Sequence, residues 1–430
     1  MAKIWIYGQG GREHAIGVKL LNDWHQVVAF WWNPGMKLDG VECLKLPESF
    51  EDLAKEIQMK AIDVLIVWPE APLCDGIVDA LEKKWILVLW PTQETAMLLE
   101  GDKDEAKIFM RENNIPTATS KTITEYNDDI GLYLEQLKYP TVVKANGLAA
   151  WKWVKVCKTQ GETIQHIKDC FAKKYDTGER VVIEEFIPGR EISAFAFLDT
   201  HSETVRIFNT ATDHKAEFDG GDWDNTWGMG TFSPAISNPL LDGKIEEMFE
   251  NVLVWLKKRG LKYTWPLFAW LMVNDDDTDF NVLEYNVRFG DPETQSMLTR
   301  MDGDLWELII KNAQGKLNEV ETPRFSTQKA LTLVLADPGY PRTGTHKWKV
   351  ITGIDGVSTD VEIYHMGTTK WPTGQLLVNG WRVLSLTASA DTYTEAQKLV
   401  LEAAQKILFG WEKPKYRTDI GNFAVSYEGE

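Results

Sequence analysis

The 430-residue chain reads as a multidomain protein that joins α/β and α+β parts. Three observations predict this. Strand and helix patterns alternate over about the first 100 residues, which implies a parallel, doubly wound sheet. A hairpin pattern at 267–273 and 281–287 lies between helical stretches in the middle of the chain. Strands at 329–335, 361–366 and 381–387 then precede a single helix at 394–408, as in a small α+β unit. The length fits two to four domains at roughly 150 residues each.

In chain order, Lys3 to Gly8 form a buried first strand. Gly8-Gln-Gly10-Gly11-Arg12-Glu13-His14 follows, and Ala15 to Leu21 read as a helix. A glycine-rich turn between a strand and a helix presents backbone N–H groups to an anion. The spacing is Gly-x-Gly-Gly and not the dinucleotide fingerprint, so a phosphorylated small molecule is favoured over NAD. A tight packing turn and a packed or capping His14 are the plainer alternatives. A strand at Val27–Phe30, a helix at Phe50–Lys60, a strand at Ile62–Val67, a helix at Asp75–Lys83 and a strand at Ile86–Leu89 complete the first unit.

Leu98-Leu-Glu-Gly-Asp-Lys103 opens a further helix that carries Lys107 to Glu112. Tyr139 to Lys144 is a strand ending in a lysine, followed by a small-residue loop that carries Lys152. Val181 to Glu191 reads as strand, turn and a second acidic strand. Lysines beside such a loop could hold phosphate oxygens, although lysines at strand ends are commonly just solvated. Ile207–Thr210 is a strand leading to Asp213-His-Lys215. A helix at 242–259 precedes the hairpin, whose turn is Asn274-Asp-Asp-Asp-Thr-Asp279. That turn lacks the glycine and closing glutamate of an EF-hand loop, so it reads as a hairpin tip. A helix at 304–314 closes the middle part.

The most informative stretch is Val282-Leu-Glu-Tyr-Asn-Val-Arg-Phe-Gly-Asp-Pro-Glu-Thr294. Strand alternation places Val282, Glu284 and Asn286 on one face. Two oxygen donors side by side suit Mg²⁺, which takes hard ligands and keeps phosphates and waters as the remainder. Gly290-Asp-Pro-Glu293 then turns the chain, crowding Arg288, Asp291 and Glu293 together. A strand ending in a charged turn is the bland alternative. The density of charge favours a metal–phosphate strand followed by a loop that orients a charged substrate.

Composition narrows the function. The net charge of −18 argues against a nucleic-acid surface. No apolar run reaches about 18 residues and no basic-plus-apolar leader is visible, so neither a membrane span nor a signal peptide is expected. The four cysteines, Cys43, Cys74, Cys157 and Cys170, contain no Cys-x-x-Cys pair. Reduced, cytoplasmic thiols without structural zinc follow from that pattern.

Taken in order, Gly8-Gln-Gly-Gly-Arg-Glu-His14, Pro69-Glu-Ala-Pro72, Leu99-Glu-Gly-Asp-Lys103, Lys144-Ala-Asn-Gly-Leu-Ala-Ala150, Glu184-Glu-Phe, Asp213-His-Lys215, Asn225-Thr, Gly228-Met-Gly230, Glu284 to Thr294, His365-Met-Gly-Thr368 and Asp419-Ile-Gly421 form a set. With this set the whole chain resembles the phosphoribosylamine–glycine ligase (glycinamide ribonucleotide synthetase) family of the ATP-grasp superfamily. The resemblance implies a Rossmann-like pre-ATP-grasp domain at 1–102, an ATP-grasp domain at 103–325 and a C-terminal α+β domain at 326–430. A mobile ATP lid would span about 120–190. It further implies ATP, Mg²⁺ or Mn²⁺, glycine and 5-phosphoribosylamine as ligands, with no nucleic-acid or membrane partner and a monomeric state. Lys103, Lys144 and Lys152 would face ATP phosphates, with Glu184, Glu185 and Glu191 along the nucleoside. Glu284 and Asn286 would hold the metal. Gly10, Gly11, Arg12, Glu13 and His14 would receive the phosphoribosylamine phosphate, with Asn225, Glu293 and Thr294 also on the substrate side. Asp213, Lys215, Arg288 and Asp291 would surround glycine and the phosphoryl-transfer centre.

The 19 tryptophans outnumber the 17 phenylalanines and the 12 tyrosines. The resemblance implies glycine at Trp68, Trp90, Trp151, Trp153, Trp227, Trp265, Trp270 and Trp381, and Trp32, Trp85, Trp223 and Trp348 fall in the same group. Every departure is glycine to tryptophan, never to alanine or serine. Three readings follow. UGA codons that mean glycine in the source cell have been translated as tryptophan, with some tryptophans, such as Trp5 or Trp306, left as candidates for genuine ones. Alternatively, the chain is a catalytically dead ATP-grasp homologue that binds a partner. A ligase for a different amine is a third reading.

Overall fold

The computed structural model describes residues 1–60, 63–88, 91–147, 154–172, 180–221, 225–342, 344 and 346–428. The N-terminal part is a four-stranded parallel sheet in the order Glu42–Leu44, Gln26–Phe30, Lys3–Tyr7, Val64–Val67. The Val64–Val67 strand is buried along its full length, as expected of a parallel strand covered on both faces. The expected strand at 86–89 is reduced, among the described residues, to one parallel bridge between Leu65 and Val88. The expected helix at 75–83 is the shorter helix Ile77–Glu82, and a separate helix at Glu70–Cys74, which was not expected, precedes it. Gly76 separates them at φ +83°, a left-handed conformation that ends one helix and caps the next. The Glu42–Leu44 strand is three residues long and carries no alternation by which a sequence pattern could register it.

The centre is an eight-stranded antiparallel sheet. Its order is Phe280–Asn286, Thr264–Val273, Arg190–Asp199, Thr204–Asp213, Gly230–Ser233, Lys329–Ala336, Arg382–Ala390, Glu362–His365. The expected hairpin is present, with the acidic Asn274–Asp279 segment at its tip. The three late strands continue this same sheet, because Gly230–Ser233 pairs with Lys329–Ala336. Across the sheet lies the helix Pro239–Lys258, which starts three residues before the expected position. Asn238 accepts a hydrogen bond from the Leu241 N–H, and Pro239 supplies a preset φ at the first turn. Its apolar face, with Leu241, Ile245, Phe249, Val252 and Leu256, is buried.

A second four-stranded sheet, ordered Ser120–Ile123, Val181–Glu185, Thr141–Ala145, Val154–Cys157, is antiparallel and has its own core. Ile123, Leu134, Val143, Ile167 and Ile183 fill that core. Between the sheets runs the helix Lys103–Glu112. The Asp102 carboxylate accepts from the N–H groups of Asp104 and Glu105, both at 3.1 Å, and so fixes where this helix begins. Lys103 and Lys107 then fall four residues apart on one face.

Candidate active site

A cleft of about 400 Å³ opens between the N-terminal sheet, the Lys103–Glu112 helix, the smaller sheet and the Phe280–Asn286 strand. Arg12, Lys103, Lys144, Glu184, Glu284, Asn286, Arg288 and Asp291 all reach it. Residues separated by up to about 280 positions in the chain therefore share one surface.

One wall is cationic. Lys144 lies 2.9 Å from Glu184 Oε2, and Lys107 lies 3.4 Å from the same oxygen. Lys107 also donates to the Thr117 hydroxyl at 2.7 Å. Lys103 donates to the Gly147 carbonyl at 2.6 Å. Burial pulls Lys107 down to about 8 even with Glu184 beside it. Burial and then the neighbouring Lys144 also lower Lys103, against the pull of Glu284. Burial would raise Glu184, but Lys144 and Lys107 overcome it and hold the carboxyl below its ordinary value. Two ammonium groups share the buried Glu184 carboxylate, and Lys103 sits on a backbone carbonyl, so this wall can accept further anionic oxygens.

The opposite wall is built around Arg288. Its guanidinium lies 3.1 Å from Glu100 and 3.3 Å from Glu70, and donates to the Asn286 side-chain oxygen at 3.2 Å. Asn286 in turn donates to Glu284 Oε1 at 3.3 Å, which fixes both oxygen donors on one side of the strand. Glu100 also accepts the Val287 N–H at 2.8 Å. Burial pushes Glu100 up to about 7, with Arg288 opposing and Glu70 and Glu284 adding to the rise. Carboxylates crowded in this way favour a bound cation. Glu284 and Asn286 fit a hard divalent ion whose other ligands come from phosphates and water. Among the described residues no group of three or more His, Cys, Asp or Glu is arranged to hold a metal on its own.

A second polar cluster lies one layer deeper. Lys215 donates to Asp213 at 2.6 Å, and its ammonium sits 4.3 Å from the centre of the Trp270 ring. The Trp270 indole donates to Glu191 at 3.2 Å, and Ser193 donates to Glu293 at 3.0 Å. Burial pushes Glu191 up to about 7, against the pull of Lys215. Burial would lower Lys215, but Asp213, Glu191 and Glu293 together raise it above its ordinary value.

At the glycine-rich turn the helix begins at Gly11. Glu13 accepts the Gly10 N–H at 2.6 Å and the Arg12 Nε–H at 2.7 Å. Arg12 further donates to the Phe289 carbonyl at 2.7 Å, tying the turn to the Arg288 wall. His14 Nδ1 accepts the His365 N–H at 2.9 Å, so Nε2 carries the proton and donates to Asp39 at 2.6 Å. His14 is fully buried.

The structure thus brings most of the expected residues together and separates a few. Glu191 belongs with Lys215 and Asp213, away from the Lys144–Glu184 wall. Glu185 is exposed and accepts the Thr119 N–H at 2.8 Å, on the far face of its strand. Thr294 is wholly buried and donates to the Gly290 carbonyl at 2.5 Å, so it shapes the turn. Asn225 bridges Ala216 through its backbone. Lys152 lies outside the described residues, as do Trp90, Trp151, Trp153 and Trp223. Sequence reasoning missed Lys107, Glu70, Glu100 and Arg382 as site residues. Glu70 and Glu100 were visible inside quoted motifs, and Lys107 through its four-residue spacing from Lys103. Arg382 had no signal; it donates to the carbonyls of Trp227 and Asp291, both at 2.6 Å, and pairs with the Asp291 carboxylate at 3.2 Å.

Several tryptophans of the glycine group pack close to this site. Trp68 is fully buried, with its ring stacked 5.2 Å from Phe289 and tilted against Trp265 at 4.9 Å. Trp227, which lines the cleft, stacks 5.6 Å from Trp381.

Family models cover nearly the whole chain. The phosphoribosylglycinamide synthetase N domain matches residues 2–100, its ATP-grasp domain residues 101–294 and its C domain residues 330–423. A phosphoribosylamine–glycine ligase of Listeria monocytogenes is 37% identical over 97% of this chain and 99% of that protein. One from Vibrio parahaemolyticus is 38% identical over the full length of both. The crystal structure of the Thermotoga maritima phosphoribosylamine–glycine ligase superposes with a TM-score of 0.82 at 32% identity, covering 97% of this chain and all of that one. A biotin carboxylase from Campylobacter jejuni shares the fold at a TM-score of 0.70 and 14% identity.

Proposed function

The chain belongs to the phosphoribosylglycinamide synthetase family, and from that premise we propose that it joins glycine to 5-phosphoribosylamine at the expense of ATP. The products are glycinamide ribonucleotide, ADP and phosphate, a step of purine biosynthesis. The observation that carries the reading is the facing of two walls across one cleft: Lys103, Lys107 and Lys144 on one side, Glu284, Asn286 and Arg288 on the other.

A glycine carboxylate oxygen attacks the γ-phosphorus and ADP leaves, giving glycyl phosphate. The phosphoribosylamine nitrogen then attacks the glycyl carbonyl, phosphate leaves and the nitrogen gives up a proton, so the amide forms. Phosphoryl transfer depends on position and charge neutralisation more than on a covalent side chain. The lysine wall supplies that for the triphosphate. Glu284 and Asn286 would hold a divalent ion, which neutralises phosphate oxygens when bound. Arg288, clamped by Glu70 and Glu100, is fixed before substrate arrives, and preorganised charge is what lowers such barriers. Asp213, Lys215, Glu191 and Glu293 would receive the zwitterion of glycine, which needs both signs of charge.

The dead-homologue reading has no support. The described acidic and basic groups of the site are in place, and relatives matched over full length are named as the ligase. Among the described residues no helix is long and apolar enough to cross a membrane, and the four cysteines are free; we place the enzyme in the cytoplasm, as a monomer. ADP release that requires both glycine and phosphoribosylamine is the expected result. Release that requires neither, or only a different amine, would overturn the substrate assignment.

A further inference from the structure

Among the described residues, seven that are not glycine have positive φ: Trp24, Trp31, Trp85, Asn114, Glu203, Asp277 and Trp348. Asn and Asp tolerate this region because their short polar side chains bond locally, whereas a bulky residue there is an outlier. Four of the seven are tryptophan, at φ 66°, 56°, 61° and 72°.

Two of these end helices. After the Gly11–Asn22 helix, the Trp24 N–H donates to the Leu21 carbonyl at 3.0 Å and the His25 N–H donates to the Leu20 carbonyl at 3.1 Å. After the Ile77–Glu82 helix, the Trp85 N–H donates to Glu82 at 2.8 Å and the Ile86 N–H donates to Leu81 at 3.3 Å. This pair of bonds is the Schellman motif, whose left-handed residue is usually glycine. The same chain shows the motif with glycine in that place. Gly260, at φ 71°, donates to Lys257 while Leu261 donates to Leu256, both at 2.9 Å. Gly315, at φ 69°, donates to Asn312 at 2.9 Å while Lys316 donates to Lys311 at 2.8 Å. Trp24 and Trp85 therefore occupy the positions that Gly260 and Gly315 occupy in two other helices.

Packing does not compensate for the conformation. Trp24 is 83% exposed and Trp85 is 97% exposed, so neither indole gains burial in return. A separate observation comes from the core, where the fully buried Trp68 and Trp5 rings each have an indole N–H with no hydrogen-bond partner, and of the two only Trp68 stands where the family resemblance implies glycine. An unpaired buried donor is a recognised penalty, and glycine has no such group. Positions 24 and 31 are not among those at which the family resemblance implies glycine, so backbone geometry adds them on its own.

We propose that the polypeptide made in the source cell carries glycine at positions 24, 31, 85 and 348, and at 68, encoded by UGA triplets that this cell reads as glycine. The helix stops after Asn22 and after Glu82 are then ordinary glycine stops, and the N-terminal core loses an unpaired donor.

Two experiments test this. Peptide mass spectrometry of the protein purified from its source cell reads positions 24 and 85 directly. Glycine masses are expected, and a tryptophan mass at either position, or UGG codons there, overturns the proposal. Independently, W24G/W85G is compared with the tryptophan form by thermal unfolding. The double variant is expected to melt higher by a few degrees. W306G, in the first turn of the Leu305–Ala313 helix and packed against the core, is expected to melt lower. A W24G/W85G midpoint equal to or below that of the tryptophan form overturns the backbone argument.

Discussion

Glu284 and Glu100 show how two carboxylates in one cleft differ by environment. Glu284 faces the Asn286 amide and is read as a metal ligand, whereas Glu100 is buried against Arg288 and the Val287 N–H. Glu284→Gln should lower kcat/KM by about 10²- to 10³-fold, the scale of losing a preorganised charge, with little change in melting. A steady-state assay beside a thermal melt checks both parts. Glu100 has a folded-state pKa raised to about 7, above the unfolded value of a glutamate. The folded state therefore binds the extra proton between those two values, and stability from this group falls as pH rises from about 4 to 7. Glu100→Gln should remove that fall, so the gap between variant and parent midpoints should widen from pH 5 to pH 7.5. A gap constant over that range would contradict the assignment. The charge pattern from Glu284 to Glu293 was legible because strand alternation and a tight turn are local. Arg382 was not, because its partners Trp227 and Asp291 lie 155 and 91 residues away.

At the scale of elements, the Lys103–Glu112 helix shows how a cap positions chemistry. Asp102 satisfies two helix N–H groups and also pairs with Arg180 from the neighbouring sheet. Asp102→Ala should cost about 1 kcal/mol, as typical N-caps do, and should raise KM for ATP more than it lowers kcat. Denaturant melts and ATP-dependent kinetics check this together. Helix starts with Asn-Pro or Asp caps were readable in principle, and Pro239 was passed over only because periodicity begins after it. The short Glu70–Cys74 helix was hidden because it spans barely one turn and contains Pro72, leaving no periodicity to detect. The short Glu42–Leu44 strand exists by pairing with Gln26–Phe30, a tertiary fact with no local trace.

For the whole molecule, the important feature is continuity of the eight-stranded sheet from the Phe280–Asn286 strand to the C-terminal strands. Sequence reasoning found the late strands and their helix, yet could not show that they extend the central sheet, because Gly230–Ser233 and Lys329–Ala336 pair across about 100 residues. Arg382 reaches Asp291 from that far side, so the C-terminal unit supports the site directly. Leu333→Ala, at a wholly buried position in the joining strand, should cost about 2–5 kcal/mol. Loss of activity on heating should then track the unfolding of this variant.

The lysine and Arg288 walls are proposed to form one glycine-activating ligase site. ADP release by the purified enzyme, followed with ATP and a divalent ion while glycine and phosphoribosylamine are added singly and together, tests it most directly. Stoichiometric ADP and amide are expected only when both substrates are present, and both are lost in Glu284→Gln. ADP release indifferent to glycine, or unchanged in that variant, would contradict it.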